Sequence, residues 1–190
     1  EEAGVTADEI GHVNAHGTST PLNDMAEDQA MDIGDFLSLA ESLCEKFGDK
    51  EWAKILYGKI ESKARDSSDF CGLADSLCKS MGDKKWALAL YKKAENKAEE
   101  SYEFRDLADS LCVELGNIKW ARELYKKSEG KAKVFYEFRW LAECLCENLG
   151  DKEWAKKVYK KAVGKAKEPS QVNCLTSSIY KNLEVTPAKL

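Results

Sequence analysis

Lysine and arginine are absent from the first 34 residues, histidine occurs only at positions 12 and 16, and proline only at 21, 169 and 187. No cysteine precedes Cys44. No apolar run approaches the ~20 residues that a bilayer-spanning helix needs, so a membrane partner is not expected. Neither a metal nor another cofactor is expected. Across the whole chain 29 Lys and Arg face 34 Asp and Glu. The two signs alternate along most of it, leaving no basic stripe for nucleic acid. The near absence of proline also leaves a long stretch free of the strongest helix breaker.

What that stretch contains is one unit written four times. Phe36, Phe70, Phe104 and Phe138 stand 34 residues apart, as do Trp52, Trp86, Trp120 and Trp154. Further columns hold Leu39, Leu73, Leu107 and Leu141, then Cys44, Cys78, Cys112 and Cys146, then Gly48, Gly82, Gly116 and Gly150, then Tyr57, Tyr91, Tyr125 and Tyr159. A fixed period of this length implies a solenoid, in which each unit buries its apolar face only against its neighbours. In the second unit Phe70, Leu73, Ala74, Leu77, Cys78 and Met81 form one face of a helix. Gly82 supplies a left-handed stop, Asp83 an N-cap, and Trp86, Ala87, Leu90, Tyr91 and Ala94 a second apolar stripe. Each unit is therefore expected to be a helical hairpin. A partial fifth unit, residues 171–183, is expected to cap the array, with Ser177, Ser178 and Lys181 on its outer side.

Phe104, Leu107, Ala108, Leu111, Gly116, Ala121 and Tyr125, with Ser128 where other units have Ala94 or Ala162, follow the order of the tetratricopeptide repeat family. The resemblance covers roughly residues 35–183. It implies an all-α, right-handed α-solenoid of four hairpins (35–68, 69–102, 103–136, 137–170) plus a capping helix, followed by a tail at 184–190. Two features depart from the family: the junction glycine comes one residue late, and the terminal proline is missing except at Pro169. The Asp-Lys-x-Trp-Ala segment also resembles related hairpin repeats of slightly longer period, so the subfamily stays open. Such arrays imply a protein-interaction scaffold without catalysis, or a structural spacer.

The leader, residues 1–34, is a different text, with eight acidic residues and no basic ones. Val13-Asn14-Ala15-His16-Gly17-Thr18-Ser19-Thr20-Pro21-Leu22-Asn23-Asp24 resembles the active-site histidine segment of the β-ketoacyl-acyl carrier protein synthases. That resemblance implies a carbonyl-stabilising role for His16, pantetheine contacts for Thr18 and Thr20, a buried acidic residue at Glu27, and acyl carrier protein as a partner. The same family needs a cysteine nucleophile, a second active-site histidine and a lysine on a layered α/β fold. None of these accompanies His16, and acyl transfer requires nucleophile and oxyanion donors within reach of one carbon. Condensation by this chain alone is not expected. Thr20 as N-cap and Pro21 at the first helical position predict a short helix near 22–31 that packs on the first repeat, with residues 1–19 disordered.

One cysteine per unit recurs too far along a solenoid for disulfides, and Cys144 and Cys146 point apart on a helix. The seven thiols are expected to be free, buried fillers in a reducing cytoplasm. The tryptophan and tyrosine columns are expected to carry the stacking against the next unit's Phe and Leu columns, so that Trp86→Ala melts the middle of the array. A binding surface should lie where units differ. Tyr102 and Tyr136, Arg105 and Arg139, and Trp140 mark the first helices of units three and four as a groove for a peptide segment or an acidic terminus, since aromatic and Arg side chains dominate interface energetics.

Overall fold

The computed structural model describes residues 32–184. The helix expected near 22–31, the disorder expected of residues 1–19, and His16, Thr18 and Thr20 all lie outside the described residues. Within them nine helices form consecutive hairpins. The first helices are α1 (Ile33–Ser42), α3 (Ser67–Ser76), α5 (Ser101–Ser110), α7 (Phe135–Leu149) and α9 (Pro169–Leu183). The second helices are α2 (Lys50–Lys63), α4 (Lys84–Lys97), α6 (Ile118–Lys131) and α8 (Lys152–Lys165). The first helices of units one to four pack on their own second helices, every first helix packs on the first helices of adjacent units, and each second helix also meets the next unit's first helix.

Local chemistry sets the boundaries. Asp49, Asp83, Asn117 and Asp151 accept the backbone N–H of the tryptophan three residues on, at 3.0, 2.9, 3.2 and 3.0 Å. At the first helices the carboxylate at the third helical position reaches back to the chain before the helix: Glu103 accepts from the backbone of Glu99 and Glu100, and Glu137 from that of Lys133 and Val134. Gly48, Gly82, Gly116 and Gly150 stand at φ of 68°, 70°, 62° and 63°, a left-handed conformation that a Cβ makes costly. Before three of these glycines the helix widens into a π turn, at Leu43–Phe47, Leu77–Met81 and Leu111–Leu115. In α7 the helix stays α to Leu149.

The core is a continuous strip of the periodic columns. Leu73, Leu107 and Leu141, together with Tyr57, Tyr91, Tyr125 and Tyr159, are fully buried. Two expectations change here. The tryptophan column is only half-buried, and Trp52 is 50 % exposed. The reason is polar: each later indole lies across the seam with its N–H outward, donating to a glutamate of the preceding unit. Trp86 reaches back to Glu61 and packs edge-on against Tyr57 at 6.3 Å, away from the next unit. The deeply buried aromatic of the second helix is therefore Tyr. In α9, which starts at Pro169, Ser178 does not face outward: it is buried, bonded to the Tyr159 hydroxyl at 2.7 Å and to Glu143 at 2.6 Å.

Candidate functional site

Of the residues singled out on units three and four, Arg105, Tyr136, Arg139 and Trp140 come together. Trp140 lies on α7 and is 40 % exposed, in a column otherwise held by Ser38, Gly72, Asp106 and Cys174. The Arg105 guanidinium, from α5, sits 5.3 Å from the Trp140 ring, and that of Arg139 5.4 Å from it. Cations over an indole face are held by the ring's quadrupole. Tyr136 packs against the same indole at 5.2 Å and Phe135 against Tyr136 at 5.8 Å. Tyr102 and Tyr136 are 46 % and 42 % exposed. The outcome is an exposed aromatic ridge beside an open groove of about 290 Å³ lined by Arg105, Asp106, Asp109, Trp140, Glu143 and Glu147.

Both guanidiniums are already committed. Arg105 pairs with Asp106 at 2.6 Å and Arg139 with Glu143 at 2.7 Å, and both side chains are mostly covered. Four carboxylates and one guanidinium line the groove, so acidic side chains outnumber basic ones there.

Beneath the ridge runs a polar ladder that residue-type reasoning missed. Glu41, Asp75, Asp109 and Glu143 form a carboxylate column at the 34-residue period. Asp75 accepts from the Tyr91 hydroxyl of its own hairpin at 2.7 Å and from Ser110 of the next at 3.0 Å. Asp109 accepts from the Tyr125 hydroxyl, and from the Cys144 thiol and Asn148 amide of the next unit at 3.2 and 2.8 Å. The signal was present as an acidic column, masked by its alternation of Asp and Glu. Burial raises the Asp75 and Asp109 pKa values above the carboxylate norm, although the donors pull the other way. Burial and the adjacent carboxylate push the Tyr91 hydroxyl far up, and burial does the same for Tyr125.

A carboxyl whose pKa is raised by folding binds its proton better in the native chain. Its favourable contribution is complete below the unfolded value of about 4 and is lost as pH rises through the native value. Asp109→Asn cannot ionise. Urea midpoints measured from pH 3 upward should therefore fall more steeply with pH in the unaltered chain than in the variant, through and just above the ordinary carboxylate range. Parallel curves would show that Asp109 titrates normally.

All seven cysteines are free. Six are half-buried, shallower than expected, and Cys174 is exposed. Burial pushes Cys71 up to about 12 and raises Cys144 further, so these thiols are protonated and poor nucleophiles. Among the described residues no group of three or more His, Cys, Asp or Glu gathers as metal ligands, and no helix is long and apolar enough to cross a membrane.

Comparison with known proteins concerns the leader. The family described as Beta-ketoacyl synthase, C-terminal domain, matches residues 1–33, a stretch containing His16, Thr18, Thr20 and Glu27. The 3-oxoacyl-[acyl-carrier-protein] synthase 2 of Vibrio cholerae serotype O1 is 69 % identical over 26 residues, which are 14 % of this chain and 6 % of that one. The chain thus spans a small fraction of the relative it matches, and the family match stops where α1 begins.

Proposed function

We propose that residues 35–183 form a tetratricopeptide-like, right-handed solenoid that works as a protein-interaction module, with its site on the first helices of units three and four. The observation that carries this reading is Trp140, a large aromatic exposed where the repeat elsewhere places Ser, Gly, Asp or Cys, with Tyr136 and two guanidiniums holding it in place. An aromatic held rigid before binding loses little entropy when a ligand arrives. A peptide segment that lays an apolar or cationic side chain on this ridge fits it better than an acidic terminus, because Arg105 and Arg139 already hold carboxylates and the groove is acidic. Selection of a displayed peptide library on the full chain tests this. Enriched peptides should share an aromatic, aliphatic or basic anchor and compete with one another. Full retention of binding by the Arg105→Ala/Arg139→Ala double variant would remove the guanidiniums from the site.

A second reading rests on the match over residues 1–33. In it the leader serves acyl condensation, with His16 stabilising a carbonyl oxygen, Thr18 and Thr20 holding a pantetheine arm, and acyl carrier protein as partner. It requires the purified chain to decarboxylate malonyl-acyl carrier protein, with that activity lost in His16→Ala. No turnover by the unaltered chain would end it.

A further inference from the structure

A second pocket, of about 340 Å³, opens beside the same ridge. It is lined by Lys133, Phe135 and Tyr136 at the start of α7, and by Lys165, Lys167 and Gln171 around the turn from α8 into α9. Tyr136 links the two features, because it lines this pocket and packs at 5.2 Å on Trp140, which lines the acidic groove. The ridge is therefore bounded by lysines at the N-terminal end of α7 and by Glu143 and Glu147 farther along it.

The charge of this pocket breaks the period. One repeat earlier, the positions of Lys133, Lys165, Lys167 and Gln171 hold Glu99, Lys131, Lys133 and Glu137, and two repeats earlier Arg65, Lys97, Glu99 and Glu103. Carboxylates match the cations in both earlier seams, whereas the last presents three lysines and no acid. All three lysines are exposed, and among the described residues no carboxylate pairs with their ammonium groups. Glu137 and Glu168 are close in the chain but do not line the pocket. Gln171 keeps the capping role without the charge: its Oε1 accepts from the backbone of Lys167 and Glu168 at 2.7 and 3.2 Å, as Glu137 does from that of Lys133 and Val134 at 2.6 and 3.1 Å. Its amide nitrogen is left as a donor. Three ammonium groups, that amide and the Tyr136 hydroxyl can all donate to one anion.

We infer that this pocket takes an acidic side chain of the peptide that the ridge binds, an inference that rests on the peptide-binding reading above. The bound segment then has a direction, with an aspartate or glutamate at the lysines and an apolar or basic anchor on Trp140 beside the acidic groove. Phe135 lines the pocket and Glu143 the groove. Eight helical positions advance about 12 Å, which an extended peptide covers in three or four residues. The ligand therefore carries its acid about that far from its anchor, always on the same side. A carboxylate fits better than a phosphate, because phosphate sites use free amides at a helix N-terminus. At the start of α9 Pro169 has no N–H, and those of Lys167, Glu168, Gln171 and Val172 are already bonded within the cap.

Random displayed peptides selected on the full chain should enrich Asp or Glu on one side of the anchor, at that spacing. Selection on the charge-reversed Lys133→Glu/Lys165→Glu/Lys167→Glu variant should keep the anchor and enrich Lys or Arg in the same place. Lys165→Gln/Lys167→Gln, a milder change, should lose the acidic preference without reversing it. For one selected peptide, capped at both ends so that it has no terminal charge, exchange of its acid for the amide should weaken binding to the unaltered chain about tenfold, or roughly 1.4 kcal/mol. The charge-reversed variant should not show that loss, and salt should shrink it. An enriched anchor with no acidic neighbour, or an acidic preference that survives charge reversal, would overturn the pocket and leave the ridge standing. Tighter binding of a phosphoserine peptide, with no difference between the acid and its amide, would give the pocket to phosphate instead. A selection that enriches no anchor at all would remove the peptide-binding reading itself, and the pocket with it.

Discussion

Tyr125→Ala is expected to cost about 3–5 kcal/mol, a large part of the ~5–15 kcal/mol that holds a typical domain together. The ring is fully buried between units three and four. Its hydroxyl donates to Asp109 and accepts from the Asn148 amide at 2.9 Å, so truncation opens a cavity and removes a donor from a carboxylate in low dielectric. Because each unit leans only on its neighbours, the damage should divide the array. Urea unfolding followed by circular dichroism should show two transitions, or one of reduced slope, in place of a single cooperative step. Tyr125→Phe, which keeps the ring, should cost only about 1–2 kcal/mol. A loss below ~1 kcal/mol for the alanine variant would contradict the view that these tyrosines tie the units together. The half-buried indole of Trp86 should matter less than the Tyr column, although its edge-on contact with Tyr57 and its bond to Glu61 still couple two units.

Trp140→Ala is expected to leave stability nearly unchanged and to abolish peptide binding. Removing an interface anchor typically costs more than ~2 kcal/mol, about a thirtyfold loss of affinity. The two readouts separate because Trp140 lies outside the buried columns and is 40 % exposed, so little of it is needed for stacking. Calorimetric titration with a peptide selected on the unaltered chain gives the affinity, and thermal melts give the stability. Equal affinity in the variant would place the site elsewhere on the array. A melt lowered as far as in Tyr125→Ala would make the ridge a packing element instead.

The hairpins were legible because their causes are local. Asp83 caps a helix because its side-chain oxygen reaches an amide three residues away, and Gly116 ends one because it lacks a Cβ, whatever the rest of the chain does. The aromatic and Arg residues of the ridge were legible as departures from the period. Their pairing was not. Arg105 meets Asp106 on its own helix but stacks on Trp140 of the next unit, and which neighbour a flexible guanidinium takes depends on how far apart α5 and α7 sit. The depth of the tryptophans was misjudged for a related reason. Hydrophobicity places an indole in the core, while its N–H needs an acceptor that only the preceding unit supplies, at Glu61, Glu95 and Glu129.

By itself the sequence determined the helical hairpin, its 34-residue period, its caps and the identity of the buried Leu, Ala and Tyr columns, since these follow from spacing on a helix and from contacts within a few residues. Only the tertiary structure decided what lies between units: Ser110, Cys144 and Asn148 donating to the carboxylates of the preceding unit, the glutamates that take the indole N–H of the next unit, and Arg105 on the Trp140 ring. Those pairings join residues 25 to 39 positions apart, and their distances are set by how one hairpin settles on the next.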